Sequence, residues 1–256
     1  VGYTAGESIT TGKSNTLIGS RNGDALTVGN FNVAVGDEAL GSEIQGSNSV
    51  AVGVGALLNQ NVGSATSVNN TAVGHAAGNQ VTTGTANTLI GSLAGDALTV
   101  GELNTAIGCL ALSADDSGSR NTVVGYASFQ LQNPSGSSVN NMYNTGLGYG
   151  TGSSITSGYY NTFVGSLAGQ SSTTGNNNVL IGTSAETAAV DTSQVIVIGS
   201  SVTSQAANNF TFGYGSTDSN IAFGATSITA PSDERYKEEI ADSIAGLSFI
   251  NDLRPV

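Results

Sequence analysis

A short phrase closing on glycine returns along the whole chain at an almost constant interval. Its last residue falls on Gly2, Gly19, Gly36, Gly53, Gly74, Gly91, Gly108, Gly125, Gly148, Gly165, Gly182 and Gly199, so the steps are 17, 17, 17, 21, 17, 17, 17, 23, 17, 17 and 17. A fixed period in this range marks a stack of small units, none of which can bury its apolar face alone. The phrase reads G-x-x-N-[T/V]-x-[V/I/L]-G. Its Asn slot holds Asn15, Asn32, Asn70, Asn87, Asn104, Asn121, Asn144, Asn161 and Asn178, with Ser49 the one early substitution and Val195 the point where the rule decays.

A second period lies on the first. Four residues after each closing Gly stand Gly6, Gly23, Leu40, Leu57, then Gly78, Gly95, Leu112, Phe129, then Gly152, Gly169, Glu186. Four coils therefore make a super-repeat. Both long steps fall on its fourth coil, which makes "LNQNVGSATSVN" (58–69) and "QLQNPSGSSVNNMYN" (130–144) loops of four and six extra residues at equivalent places, projecting from one flank.

Strand arithmetic converts the period into a fold. "NTLIG" or "NTAIG" makes a short strand, Gly permits positive φ at a corner, and "DALTV" supplies a return strand. Stacked in parallel at about 4.8 Å per coil, such turns form a β-solenoid or β-roll roughly 55 Å long with the Asn residues in a hydrogen-bonded ladder. Neighbouring strand residues face opposite sides, so Leu89 with Ile90, Val123 with Val124 and Leu180 with Ile181 cannot all point inward. One face fills the roll and the other packs on parallel copies, which predicts a homo-oligomer.

Composition excludes several classes. Only 9% of residues are charged, and a net charge of −12 with six Lys plus Arg argues against nucleic-acid binding, which needs clustered cations. The hydrophobic share of 38% and the regular Val, Ile and Thr argue against disorder. No run of ~18 apolar residues is present for a membrane span, and no signal-peptide pattern opens the chain. Because it begins mid-repeat at "VGYTAG", upstream targeting stays open. Cys109 is alone, so no disulfide framework is predicted.

Candidates for chemistry are few. His75 and Cys109 follow a closing Gly, in a slot that elsewhere holds Ser20, Asp37, Val54, Tyr126 or Thr183 and so reads as outward and unspecialised. Asp24 and Asp96 in "GDALTVG" suggest calcium, but the third super-repeat has Gln170 there and G-G-x-G-x-D repeats are missing, so they read as corner residues. Asp115 and Asp116 are adjacent and make a poor acid/base pair. Tyr126, Tyr143, Tyr149, Tyr159 and Tyr160 cluster around the second long loop, as subunit packing or as a surface for sugar rings. No cofactor or metal site is predicted.

The repeat resembles the head repeats of trimeric autotransporter adhesins, left-handed parallel β-rolls built on N-S-V-A-I-G phrases, with "NSVAVG" at 48–53 the nearest match. Coils in those heads are nearer fourteen residues. Similar phrases occur in bacteriophage tail fibres. After residue 199 the rule gives way to shorter phrases ending at Gly213 and Gly224, a neck over 200–231. From 232 to 256 charge density rises and Ile240, Ile244, Leu247, Ile250 and Leu253 fall at helical spacing before Pro255. Ser232, Asp233, Arg235, Lys237 and the closing "LRPV" resemble the start of the endosialidase-type intramolecular chaperone of phage tail fibres and tailspikes.

That resemblance implies a domain that trimerises the preceding shaft and then cuts itself off. Ser232 would be the nucleophile on the Pro231–Ser232 bond and Lys237 its base. By capping preference alone, Ser232 is a helix N-cap and Lys237 a solvated surface residue. The reading is an all-β fold, residues 1–199 as a β-roll shaft, ending in the short α-helical start of a chaperone. The implied function is a homotrimeric viral tail or surface fibre that attaches to a host receptor or glycan, on the virion surface and without membrane insertion. Alternatives are a bacterial adhesin head and a glycan-degrading tailspike enzyme, which would need paired carboxylates in a groove.

Overall fold

The computed structural model describes residues 1–134 and 140–226. Within them the chain winds as a parallel β-solenoid without a helix. Each Asn phrase becomes one short strand. In chain order these are β1 (Thr16–Ile18), β2 (Val33–Val35), β3 (Val50–Val52), β4 (Thr71–Val73), β5 (Thr88–Ile90) and β6 (Thr105–Ile107). A two-residue β7 (Gly118–Ser119) precedes β8 (Thr122–Val124), and a two-residue β9 (Asn140–Asn141) precedes β10 (Thr145–Leu147). Then come β11 (Thr162–Val164), β12 (Val179–Ile181), β13 (Val195–Ser200), β14 (Asn209–Tyr214) and β15 (Thr217–Ala222).

All but β7 and β9 form a single sheet of 13 strands. The register follows the period: Thr16 lies over Val33 and Thr88 over Thr105. It holds across the long coils too, where Val50 lies over Thr71 and Thr122 over Thr145. The extra residues therefore leave the stack without shifting it. Beside them, Ser47 bridges Ser67, and β7 pairs with β9. Residues 135–139 of the second insertion lie outside the described residues.

The expected return strand is absent. Residues 24–28 and 96–100, the "DALTV" segments, are turns and bends joined to the next coil at one carbonyl each, Ile44 O accepting from Thr27 N (2.8 Å) and Asp116 O from Thr99 N (2.7 Å) and Val100 N (3.3 Å). The cause is in the corners. A coil must aim its N–H groups along the rod axis while turning, and left-handed residues do this by reversing the peptide. In one coil Leu93 (φ 57°), Gly95 (φ 54°) and Leu103 (φ 59°) donate to His75 O at 3.0 Å, Ala111 O at 2.9 Å and Thr85 O at 3.0 Å. Among the described residues 26 non-glycyl positions have positive φ. Each costs roughly 1–2 kcal/mol in isolation, so a coil holds this shape only because its neighbours do.

The core is a column of complementary volumes. Ala34, Ala51, Leu89, Ala106, Val123, Phe163 and Leu180, each at the centre of its strand, are fully buried. Where that centre is Leu89, position four after the glycine is Gly78 or Gly95, whose added Cβ would stand 2.7 or 2.9 Å from the Leu89 side chain. Where Phe129 fills that corner, the strand above shrinks to Gly146, whose Cβ would stand 2.5 Å from the Phe129 ring. Large faces small throughout, as close packing requires. The four-coil super-repeat is this alternation of volume.

Past β13 the winding changes. β14 pairs with it in parallel at a 14-residue offset, Val195 over Asn209, and β15 then turns back antiparallel, Asn209 opposite Ala222. The helical pattern expected over 232–256 and the self-cleavage pair Ser232 and Lys237 lie outside the described residues.

Candidate functional site

The Asn slot is the spine of the rod. Each Asn from Asn32 to Asn178 is buried beside the strand, Asn15 being half-buried, and its side chain bonds to the next coil. Asn104 Oδ1 accepts from Asn121 N at 3.0 Å while its Nδ2 donates to Gly118 O at 2.8 Å. The same pair of bonds recurs at Asn32, Asn87, Asn144 and Asn161. The ladder ends where Val195 N donates to Asn178 Oδ1 at 3.2 Å.

A second polar column was not expected from the sequence. Seven residues after the closing Gly, the inward corner holds Leu26, Val81, Leu98 and Ile155, but in the third and fourth coils of a super-repeat it holds Glu43 over Gln60 and Asp115 over Gln132. All four polar side chains are fully buried. Gln60 Nε2 donates to Glu43 Oε2 at 3.0 Å and to Ser49 Oγ at 3.1 Å, and its Oε1 accepts from Asn70 Nδ2 at 2.9 Å. Gln60 thus meets the one slot where Ser49 replaces Asn. Gln132 Nε2 likewise donates to Asp115 Oδ2 at 2.5 Å, and its Oε1 accepts from Asn144 Nδ2 at 2.8 Å. Each acid also accepts from two backbone N–H groups of its own corner, Gln45 and Gly46 for Glu43, Ser117 and Gly118 for Asp115. The signal was available: both acid–Gln pairs are 17 apart, and both glutamines open a long insertion.

The outward face has the opposite character. On the eleven strands β1–β6, β8 and β10–β13, the two residues flanking the inward one are all Thr, Val, Ile or Leu. The face exposes Ile18, Ile90, Leu147, Ile181 and Ile198. As expected for adjacent apolar pairs, Leu89 is buried and Ile90 is not, and Leu180 and Ile181 behave alike. Two tyrosine columns border this face. Tyr126 stacks on Tyr149 (centroids 5.5 Å, 9°), Tyr143 on Tyr160 (5.2 Å, 17°), and Tyr159 meets Tyr160 edge-on. The Arg120 guanidinium covers Tyr143 at 5.7 Å. Each stacked ring spends one face on its neighbour along the rod, and all five rings stay partly exposed.

The remaining candidates fall as expected or apart. His75 is exposed and Cys109 half-buried, both outward. Asp24 and Asp96 sit in turns, and burial raises the Asp96 carboxyl above its ordinary range. Asp115 and Asp116 are not an acid/base pair: Asp115 is sealed inside and Asp116 is half-exposed. Among the described residues no three His, Cys, Asp or Glu side chains group to hold a metal, and no helix is long and apolar enough to cross a membrane. Compared with protein-family models, curated proteins and solved structures, the chain finds no match.

Proposed function

We propose that the chain is the shaft of a homotrimeric fibre, structural and adhesive, of the phage-like tail or surface-fibre kind that meets a host receptor or glycan outside the cell. One observation carries this: a long, uncharged Thr and aliphatic face on a chain of net charge −12. Association of such acidic copies is repelled everywhere except through a face without charge. A face of 11 strands at about 4.8 Å each, by about 20 Å of strand and flanking residues, offers roughly 1,000 Å². That is of the order of the ~800 Å² each partner gives an ordinary stable interface, and in a trimer it is shared between two neighbours.

Light scattering is expected to give a trimer for the wild type and a folded monomer for Ile90→Lys with Ile107→Lys, which places charge on that face alone. A stable wild-type monomer would overturn the trimer, and a trimeric double variant would overturn the face. The chaperone reading of the tail is tested separately. A full-length chain carrying the whole chaperone should run as two pieces on a denaturing gel, and as one band when Ser232→Ala or Lys237→Ala is introduced. Cleavage persisting in Ser232→Ala would return that residue to a helix cap.

The adhesin-head reading has one observation in its favour, the 14-residue step between β13 and β14, which matches the coil length of such heads.

A further inference from the structure

The two acid–Gln pairs are built alike but sit beside different neighbours. Glu43 is followed by Ile44, whereas Asp115 is followed by a second acid, Asp116. Around the Asp115 carboxylate, Leu98 occupies the same corner one coil below and Gln132 one coil above. Ser117 N and Gly118 N donate to it from its own corner. The one charged group acting on it is Asp116, and that action is repulsive. Among the described residues no cation offsets the buried charge; three neutral donors do, and all three point at the carboxylate.

Its position in the rod is also particular. Gln132, which closes over Asp115, stands near the start of the longest insertion, and Asn144, which closes over Gln132, stands at its end. The chain Asn144 → Gln132 → Asp115 therefore seals the base of that insertion. Where other coils place a second stacked glycine, as at Gly101 against Gly118 O, this coil has the insertion instead. Opening this coil would expose the Asp115 carboxylate to water and lose the donors that hold it.

We propose that Asp115 makes the base of the second insertion a proton-sensitive seam of the rod, closed more firmly when Asp115 is neutral than when it is ionised. Burial raises the Asp115 carboxyl from 3.8 to about 6, against the pull of its three hydrogen bonds. The sign follows from linkage. The closed coil binds the proton more tightly than the open one, so closure is favoured at low pH and weakens as pH rises from about 4 to about 6. Above that range the penalty is complete and constant. Acidification tightens this seam, the reverse of the usual behaviour of a paired carboxylate.

Hydrogen exchange read by mass spectrometry on the full chain tests this. After correction for intrinsic exchange, amides of 112–134 and 140–146 should open about tenfold more readily at pH 7 than at pH 5. Amides of 74–91, where the same corner holds the apolar Val81, serve as the reference within the same molecule. Asp115→Asn should abolish the difference. Asp116→Asn, which removes only the neighbouring charge and leaves every bond of the seal in place, should reduce it, and this variant keeps the test valid if Asp115→Asn folds poorly. Equal opening at pH 5 and pH 7 in the wild type would overturn the proposal. So would a pH dependence that survives in Asp115→Asn, or one identical in the amides of 74–91.

Discussion

Gly108→Ala is expected to destroy the rod, with little or no soluble folded protein. The closing glycines stack directly, each under the carbonyl of the next. A Cβ on Gly108 would stand 2.4 Å from Gly125 O and 2.6 Å from its carbonyl carbon, both backbone atoms fixed by the coil above. Its φ of +135° is also outside what L side chains adopt, itself roughly 1–3 kcal/mol. The two coils would have to part, and with them the strand pairing of β6 and β8 and the Asn ladder. Against a total stability of about 5–15 kcal/mol, a loss above ~5 is decisive. Gly63→Ala is the control: its φ is +66°, but nothing lies within 4 Å of the added Cβ. It should cost only about 1 kcal/mol. Circular dichroism on heating checks both, and a Gly108→Ala protein melting within a few degrees of the wild type would mean that the coils do not stack in this register.

The second large effect is expected at Asn104. Replacing it by Leu removes the acceptor of Asn121 N and the donor to Gly118 O, and both partners stay buried in the middle of the rod. Asn121 Nδ2, which also donates to Asn104 Oδ1 at 3.1 Å, loses that partner too. At roughly 1–3 kcal/mol per buried polar group left unpaired, the cost is about 3–5 kcal/mol. Asn15→Leu is the comparison. Its slot makes the same two bonds, to Asn32 N at 2.9 Å and Gly29 O at 2.8 Å, but lies half-buried in the first described coil. It should cost about half as much, since water can reach the freed groups. Denaturant midpoints at constant slope measure both, and equal losses would show that the ladder is not a buried network.

Both predictions rest on features that differ in how visible they were beforehand. The closing glycine and the Asn slot are explicit in the sequence, because their roles tolerate almost no other residue. A close backbone approach admits only Gly, and a side chain that must both accept along the axis and donate across it is best met by Asn. The acid–Gln column was less visible. Glu43 and Asp115 differ from each other and interrupt a column of Leu, Val and Ile, so without knowing that position seven faces inward they read as ordinary surface acids. Gln60 and Gln132 looked like the beginnings of loops.

By itself, the sequence determined the period, the super-repeat, the strand phrase, the alternation that buries Leu89 and exposes Ile90, and the places where residues are inserted. All of these follow from covalent spacing and from the two-residue period of a strand. Only the tertiary structure decided that each full coil carries one three-residue strand of the main sheet instead of two, and that Leu, Phe, Tyr and Arg occupy left-handed corners. No local propensity favours Leu40, Leu93 or Phe129 at positive φ. They are held there by hydrogen bonds and packing from the coils above and below, interactions between residues 17 or more apart that no single coil contains.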